Sequence, residues 1–216
     1  MNRAGLQPLL RDPRLWRGAG AAEIKAAPTG HAALDAVLPG GGWPRGALSE
    51  ILHPFPGVGE LTLALPLLVR LTQQLRSIAL LAPPQLPAAP AWAAAGVALA
   101  RMLVVQPQAE ADALWAAEQL LHAGAGAVLL WRERIDPTAL RRLQLAAAAG
   151  DGMGLLYRPL AAEREASVAA LRLRIERRHG EPQIEVLKCR GARPTGRYAL
   201  GGPAVSTHPP GRRLSA

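Results

Sequence analysis

Short apolar runs at residues 47–52, 78–81, 102–105, 128–131 and 153–157 recur along the chain, with helix-length segments between them. That order limits the possible folds more than any other feature of the sequence. Runs this short and this apolar read as strands covered on both faces. Strands that alternate with helices build βαβ units in a mainly parallel sheet. The expected fold is therefore α/β, a mainly parallel sheet flanked by helices. A chain of 216 residues suffices for one such domain. Half of its residues are hydrophobic, which excludes wholesale disorder.

The elements between these strands carry their own signals. Residues 1–27 read as a lead-in segment, residues 28–200 as the core domain, and the Gly-, Pro- and Ser-containing stretch 201–216 as a disordered tail. A short helix is expected from Thr29-Gly30, with Leu34, Val37 and Leu38 as its apolar face, stopping at Pro39 and the glycines after it. A helix over 60–75 contains Pro66, which should kink it. The helix over 107–123 is expected to bury Ala111, Leu114, Trp115 and Leu121. Asp136-Pro137 opens another helix: the carboxylate caps free N–H groups, and proline in the first turn loses no bond.

After residue 160 the pattern changes. Leu171, Leu173 and Ile175 alternate with Arg172, Arg174 and Glu176, and a turn at 179–182 leads into a strand over 183–190. This predicts a C-terminal antiparallel hairpin with one face in water, and residues 197–200 are expected to add an edge strand. The formal charge is +9, distributed as +3 over residues 1–30, −1 over 31–157 and +7 over 158–216. Arg172, Arg174 and Arg178, with Lys188 and Arg190, are the candidate basic surface for DNA or an acidic partner. An equally simple reading is a solvated sheet face in an arginine-rich composition.

Other chemistries are poorly supplied. Cys189 is the only cysteine, so an internal disulfide or a cysteine-based zinc site is excluded, which fits a cytoplasmic location. The five histidines show no metal-ligand spacing and read as surface or turn residues. Residues 77–100 carry no charge, but four prolines interrupt them, so no membrane span is expected. Trp43, between Gly42 and Pro44, is the candidate exposed aromatic for a protein partner.

The most informative segment is the strand 47–52 followed by His53-Pro54-Phe55-Pro56-Gly57-Val58-Gly59-Glu60-Leu61. Strand, glycine-containing loop and helix are the parts of a phosphate-binding P-loop. Gly57 and Gly59 are present, and Gly59 takes the place of the second motif glycine. Pro54 falls on the first glycine, Glu60 on the lysine that reaches the phosphates, and Leu61 on the hydroxyl that holds magnesium. An opposite charge pair at ~4 Å is worth about 4 kcal/mol at an effective dielectric near 20. Replacing lysine by glutamate removes that attraction and adds a repulsion. No catalytic residue, metal or cofactor is expected here.

With Thr29-Gly30, Leu34-Asp35, Gly41-Gly42-Trp43-Pro44-Arg45-Gly46 and Ser49-Glu50-Ile51 in view, the chain resembles the RecA-type recombinase core. Pro56 to Leu61, together with Ala82-Pro83-Pro84, Ala95-Gly96-Val97, the 113–119 stretch and the 140–147 stretch, is more specifically similar to the ImuA family. Those are RecA-like accessory proteins of bacterial mutagenic translesion synthesis. The resemblance puts Pro84 where the water-activating glutamate stands and Trp131 where the magnesium-associated aspartate stands. It implies a non-enzymatic protein that joins ImuB, an inactive Y-family polymerase-like partner, and through it an error-prone replicative-type polymerase. RecA and DNA are further implied contacts. The alternative is a SulA-like inhibitor of cell division, a RecA-like fold that binds a tubulin-like protein.

Overall fold

The computed structural model describes residues 25–178, 180–192 and 196–200. The expected lead-in through residue 24 and the expected tail from 201 lie outside the described residues. An eight-stranded sheet runs through the molecule. In chain order its strands are β3 (Ala47–His53), β4 (Ile78–Leu81), β5 (Met102–Val105), β6 (Ala127–Trp131), β7 (Met153–Pro159), β8 (Leu171–Arg178), β9 (Glu181–Cys189) and β10 (Arg197–Ala199). Across the sheet they lie in the order β10-β9-β8-β3-β7-β6-β4-β5. The six strands from β8 to β5 are parallel, and β9 and β10 complete an antiparallel edge. A separate two-stranded piece pairs β1 (Ala26–Ala27) with β2 (Trp43–Pro44).

Strand alternation separates two cores. On one face, Ile51, Ile78, Leu80, Leu129 and Leu155 meet Leu63, Leu67, Leu68 and Leu71 of helix α2 (Glu60–Gln73). The short helices α1 (Ala32–Asp35) and α3 (Ala89–Ala94) bring Leu34 and Trp92 to the same side. On the other face, Leu48, Leu81, Val128, Leu130 and Leu156 meet α4 (Glu110–His122) and α5 (Pro137–Gly150). At about 25 cal/mol per Å² of apolar surface, burial on two faces is the main stabilising contribution to such a sheet. The α5 start is as expected: Asp136 accepts from the N–H groups of Thr138 at 2.8 Å and Ala139 at 2.9 Å. Those bonds hold its carboxyl below the usual carboxylate range.

Helix α2 continues through Pro66, and three other expectations are corrected. The missing N–H costs one intrahelical bond, and the proline ring packs so closely on Gly30 that a Cβ there would lie 2.4 Å from it. In α4 the buried stripe is Ala113, Ala117 and Leu121, and Trp115 stands 62% exposed. The three buried residues follow a four-residue repeat, so two alanines and a leucine face the sheet. Trp43 is fully buried, because its strand pairs with Ala27 and turns the indole into the core. The hairpin turn is tighter than expected, since Arg178 already pairs with Glu181 and only residues 179 and 180 join the strands. His179 lies outside the described residues.

Candidate functional site

The loop from β3 to α2 lies at the carboxyl edge of the sheet, where open α/β sheets place their ligands. Gly57 at φ +91° and Gly59 at φ +117° take left-handed conformations that glycine adopts without strain. They turn backbone N–H groups toward one point at the start of α2. The Glu60 carboxylate sits there. It accepts from Gly57 N–H at 2.8 and 3.0 Å through its two oxygens, and from Gly59 N–H at 3.1 Å. Glu60 is only 3% exposed. A helix N-terminus and converging amides make a favourable place for negative charge. In the sequence Glu60 stands as a repulsion toward phosphate; the structure adds that its carboxylate occupies the amides a phosphate would need. Leu61 is half-buried and packs against the core. Pro54 and Phe55 are exposed.

Next to this loop, the ends of β3, β6 and β7 bring His53, Trp131 and Tyr157 together. Trp131 stacks on Tyr157 with centroids 4.6 Å apart, and His53 lies 6.4 Å from Tyr157. The cavity above them measures about 410 Å³ and is bounded by Phe55, Pro84 and Arg132 as well. Burial lowers the pKa of His53, against the opposite pull of the Glu60 carboxylate. Burial, reinforced by Glu60, pushes the Tyr157 phenol above its ordinary range. Both groups are thus held neutral near pH 7. Pro84 and Trp131 bring no ionisable group to this edge. Two of the histidines expected in surface or turn positions, His31 and His53, are buried, and no cluster of three metal-ligating side chains occurs among the described residues.

The expected basic row is broken up. Arg172 is 8% exposed, and its Nε donates to Glu50 at 2.5 Å. Its remaining donors reach the carbonyls of Ala162, Glu163 and Glu165. Arg174 is tied to Glu185 at 2.6 Å, Glu163 at 3.1 Å and Glu176 at 3.7 Å. Its hydrogen bond to Glu185, with the Glu163 and Glu176 charges nearby, raises its pKa. Lys188 donates to the Ser167 carbonyl at 2.7 Å, and burial lowers its pKa. Arg178 reaches Glu176 at 3.6 Å, and Arg190 is exposed. The alternation of Leu171, Leu173 and Ile175 against the arginines is correct, but the face opposite the core is not open water at Arg172. The 160–170 connection between β7 and β8 covers it and offers carbonyls to the guanidinium.

Two residues of this network escaped the sequence reading. Glu50 is 0% exposed in the middle of β3, between Arg172 and Arg158, whose Nη1 lies 3.5 Å from it. Arg158 is 1% exposed and also reaches Glu165 at 2.7 Å. A signal for Glu50 existed: a carboxylate inside an otherwise apolar central strand requires a buried cation.

With this geometry in place, comparison with known proteins gives two findings. The family model described as RecA N-terminal domain matches residues 15–135, more than half of the chain. Protein RecA of Symbiobacterium thermophilum is 35% identical over 103 residues, which cover 47% of this chain and 29% of that protein. The family match includes the β3–α2 loop, Glu50, Pro84 and Trp131, and it ends before β7 and the β8–β9 hairpin.

Proposed function

We propose a non-catalytic, partner-binding role for this chain, which belongs to the RecA N-terminal domain family. It acts as an ImuA-type accessory protein of SOS-induced, error-prone translesion DNA synthesis. Its main partner is an ImuB-like inactive Y-family polymerase homologue, and an error-prone replicative-type polymerase joins through the same complex. RecA and DNA are further contacts to be tested. The observation that carries the non-catalytic part is the loop itself: Glu60 stands in place of the phosphate-binding lysine, and its carboxylate takes up the Gly57 and Gly59 amides. Leu61, Pro84 and Trp131 supply neither a magnesium ligand nor a base at the positions where the family resemblance places them.

Isothermal titration with Mg-ATP, beside a turnover assay, tests this. The expected result is neither micromolar binding nor hydrolysis; turnover abolished by changing Glu60 would refute the reading. Co-expression with an ImuB-like protein, followed by size exclusion, tests the partner, and separate elution at micromolar concentration would count against it. Arg178 and Arg190 are the members of the basic row with the most freedom to meet DNA. Charge reversal at both is expected to flatten the salt dependence of any DNA binding by about 0.9 for each phosphate no longer neutralised.

A further inference from the structure

We propose that the 57–60 turn is an oxyanion site that the chain fills with its own Glu60 carboxylate, a tethered substitute for a phosphate group. The inference rests on the reading that no nucleotide occupies this loop, and goes further: the loop keeps an anion-bound shape permanently and needs no ligand to hold it. The geometry has the required parts. Two left-handed glycines aim backbone donors at one point, a helix of 14 residues starts there, and a buried carboxylate completes the hydrogen bonds. The Glu60 charge contributes to the shifts of His53 and Tyr157, and burial favours the neutral form of both. Peptide dipoles, and not a neighbouring cation, therefore hold the charge, as they would hold a bound oxyanion. Tethering decides the competition. A carboxylate fixed to the first helical residue has an effective concentration of roughly millimolar or above, and the chain bears the ordering cost once, during folding.

The packing gives this lock a second role. A Cβ on Gly59 would lie 3.0 Å from Pro182 and 3.8 Å from Ile175, so the turn rests directly on the β8–β9 hairpin. A turn held in one shape by Glu60 therefore also seats the hairpin. In a loop that depended on a free anion, that packing would come and go with the ligand.

The experiment compares the full chain with Glu60→Ala and Glu60→Gln variants, using inorganic phosphate as the probe against sodium chloride at matched ionic strength. The readouts are the backbone amide resonances of Gly57 and Gly59 and the thermal midpoint. For the unmodified chain, phosphate is expected to leave both amides in place. For Glu60→Ala, phosphate should shift both amides and bind roughly tenfold more tightly than to the unmodified chain or better, since charge-assisted bonds are about twice as strong as neutral ones. It should also restore part of a lowered midpoint. Equal phosphate binding by both proteins, or a folded Glu60→Ala chain whose Gly57 and Gly59 amides ignore phosphate, overturns the proposal. If Glu60→Ala does not fold, Glu60→Gln decides. Both amide protons should move upfield as the acceptor loses its charge, and unmoved resonances overturn the proposal. Micromolar Mg-ATP binding by the unmodified chain would instead refute the non-catalytic reading, so the two failures are distinguishable.

Discussion

The β3–α2 turn and the β7–β3–β8 region each bury a glutamate, yet they neutralise it by different means. Glu60 is met by backbone amides at a helix start, whereas Glu50 is met by the guanidinium groups of Arg158 and Arg172. The difference lies in what remains when the carboxylate is removed. Amides left without Glu60 are dipoles that water or another anion can satisfy. Guanidinium groups left without Glu50 are full charges enclosed by protein. Charge balance therefore matters far more in the hairpin network than in the loop, although the loop looks more like a functional site.

Glu50→Ala should separate the two regions most strongly. It should cost about 3–5 kcal/mol, the usual penalty for leaving buried charges without a partner. For a chain of this size each kcal/mol corresponds to roughly 2–4 °C in the unfolding midpoint. Urea denaturation measures it, and a loss below about 1 kcal/mol would mean that Glu165, already paired with Arg158, and the carbonyls around Arg172 suffice to hold both charges. The two tryptophans give a second contrast of comparable size. Trp43→Ala, in the core, should cost about 3–5 kcal/mol. Trp115→Ala, on the exposed side of α4, should stay within about 0.5 kcal/mol. If Trp115 belongs to the partner surface, its loss should weaken the complex while the fold is unchanged, which a pull-down beside a melting curve resolves.

Glu60→Gln comes next. It keeps the shape of the side chain and removes the charge, so a loss of about 1–2 kcal/mol is expected, below that of Glu50→Ala. The smallest effect concerns His53. Its folded pKa lies below the reference value of 6.5, so its neutral form favours folding. That contribution is complete above pH 6.5 and is lost as pH falls through the folded-state pKa. A His53→Asn variant should show a flatter decline in stability below about pH 6.5. An unchanged profile would place the pH sensitivity of this region on its carboxylates.

The legible part of the molecule follows from local chemistry. The parallel strands β3 to β7 appear in the sequence as apolar runs, and Asp136-Pro137 marks the α5 start by the bonds each residue can and cannot make. Gly57, Gly59, Glu60 and Leu61 stand out because a phosphate loop requires other residue types at two of those positions. Where the Glu60 carboxylate points was not legible. Its direction follows from the left-handed conformations of Gly57 and Gly59, in a turn that packs against Pro182, a residue far away in sequence.

Residue types and their spacing were enough to set the order of strands and helices, the alternation that separates Leu171, Leu173 and Ile175 from Arg172 and Arg174, and the absence of lysine and hydroxyl from the loop. What covers each face was settled by packing between distant segments. Trp43 went into the core because β1 pairs with β2. Trp115 stayed outside because Ala113, Ala117 and Leu121 face the sheet. Arg172 was buried because the 160–170 connection folds over it. Periodicity assigns a side chain to a face, but neighbours far apart in sequence determine whether that face meets water, a carbonyl or a counter-charge.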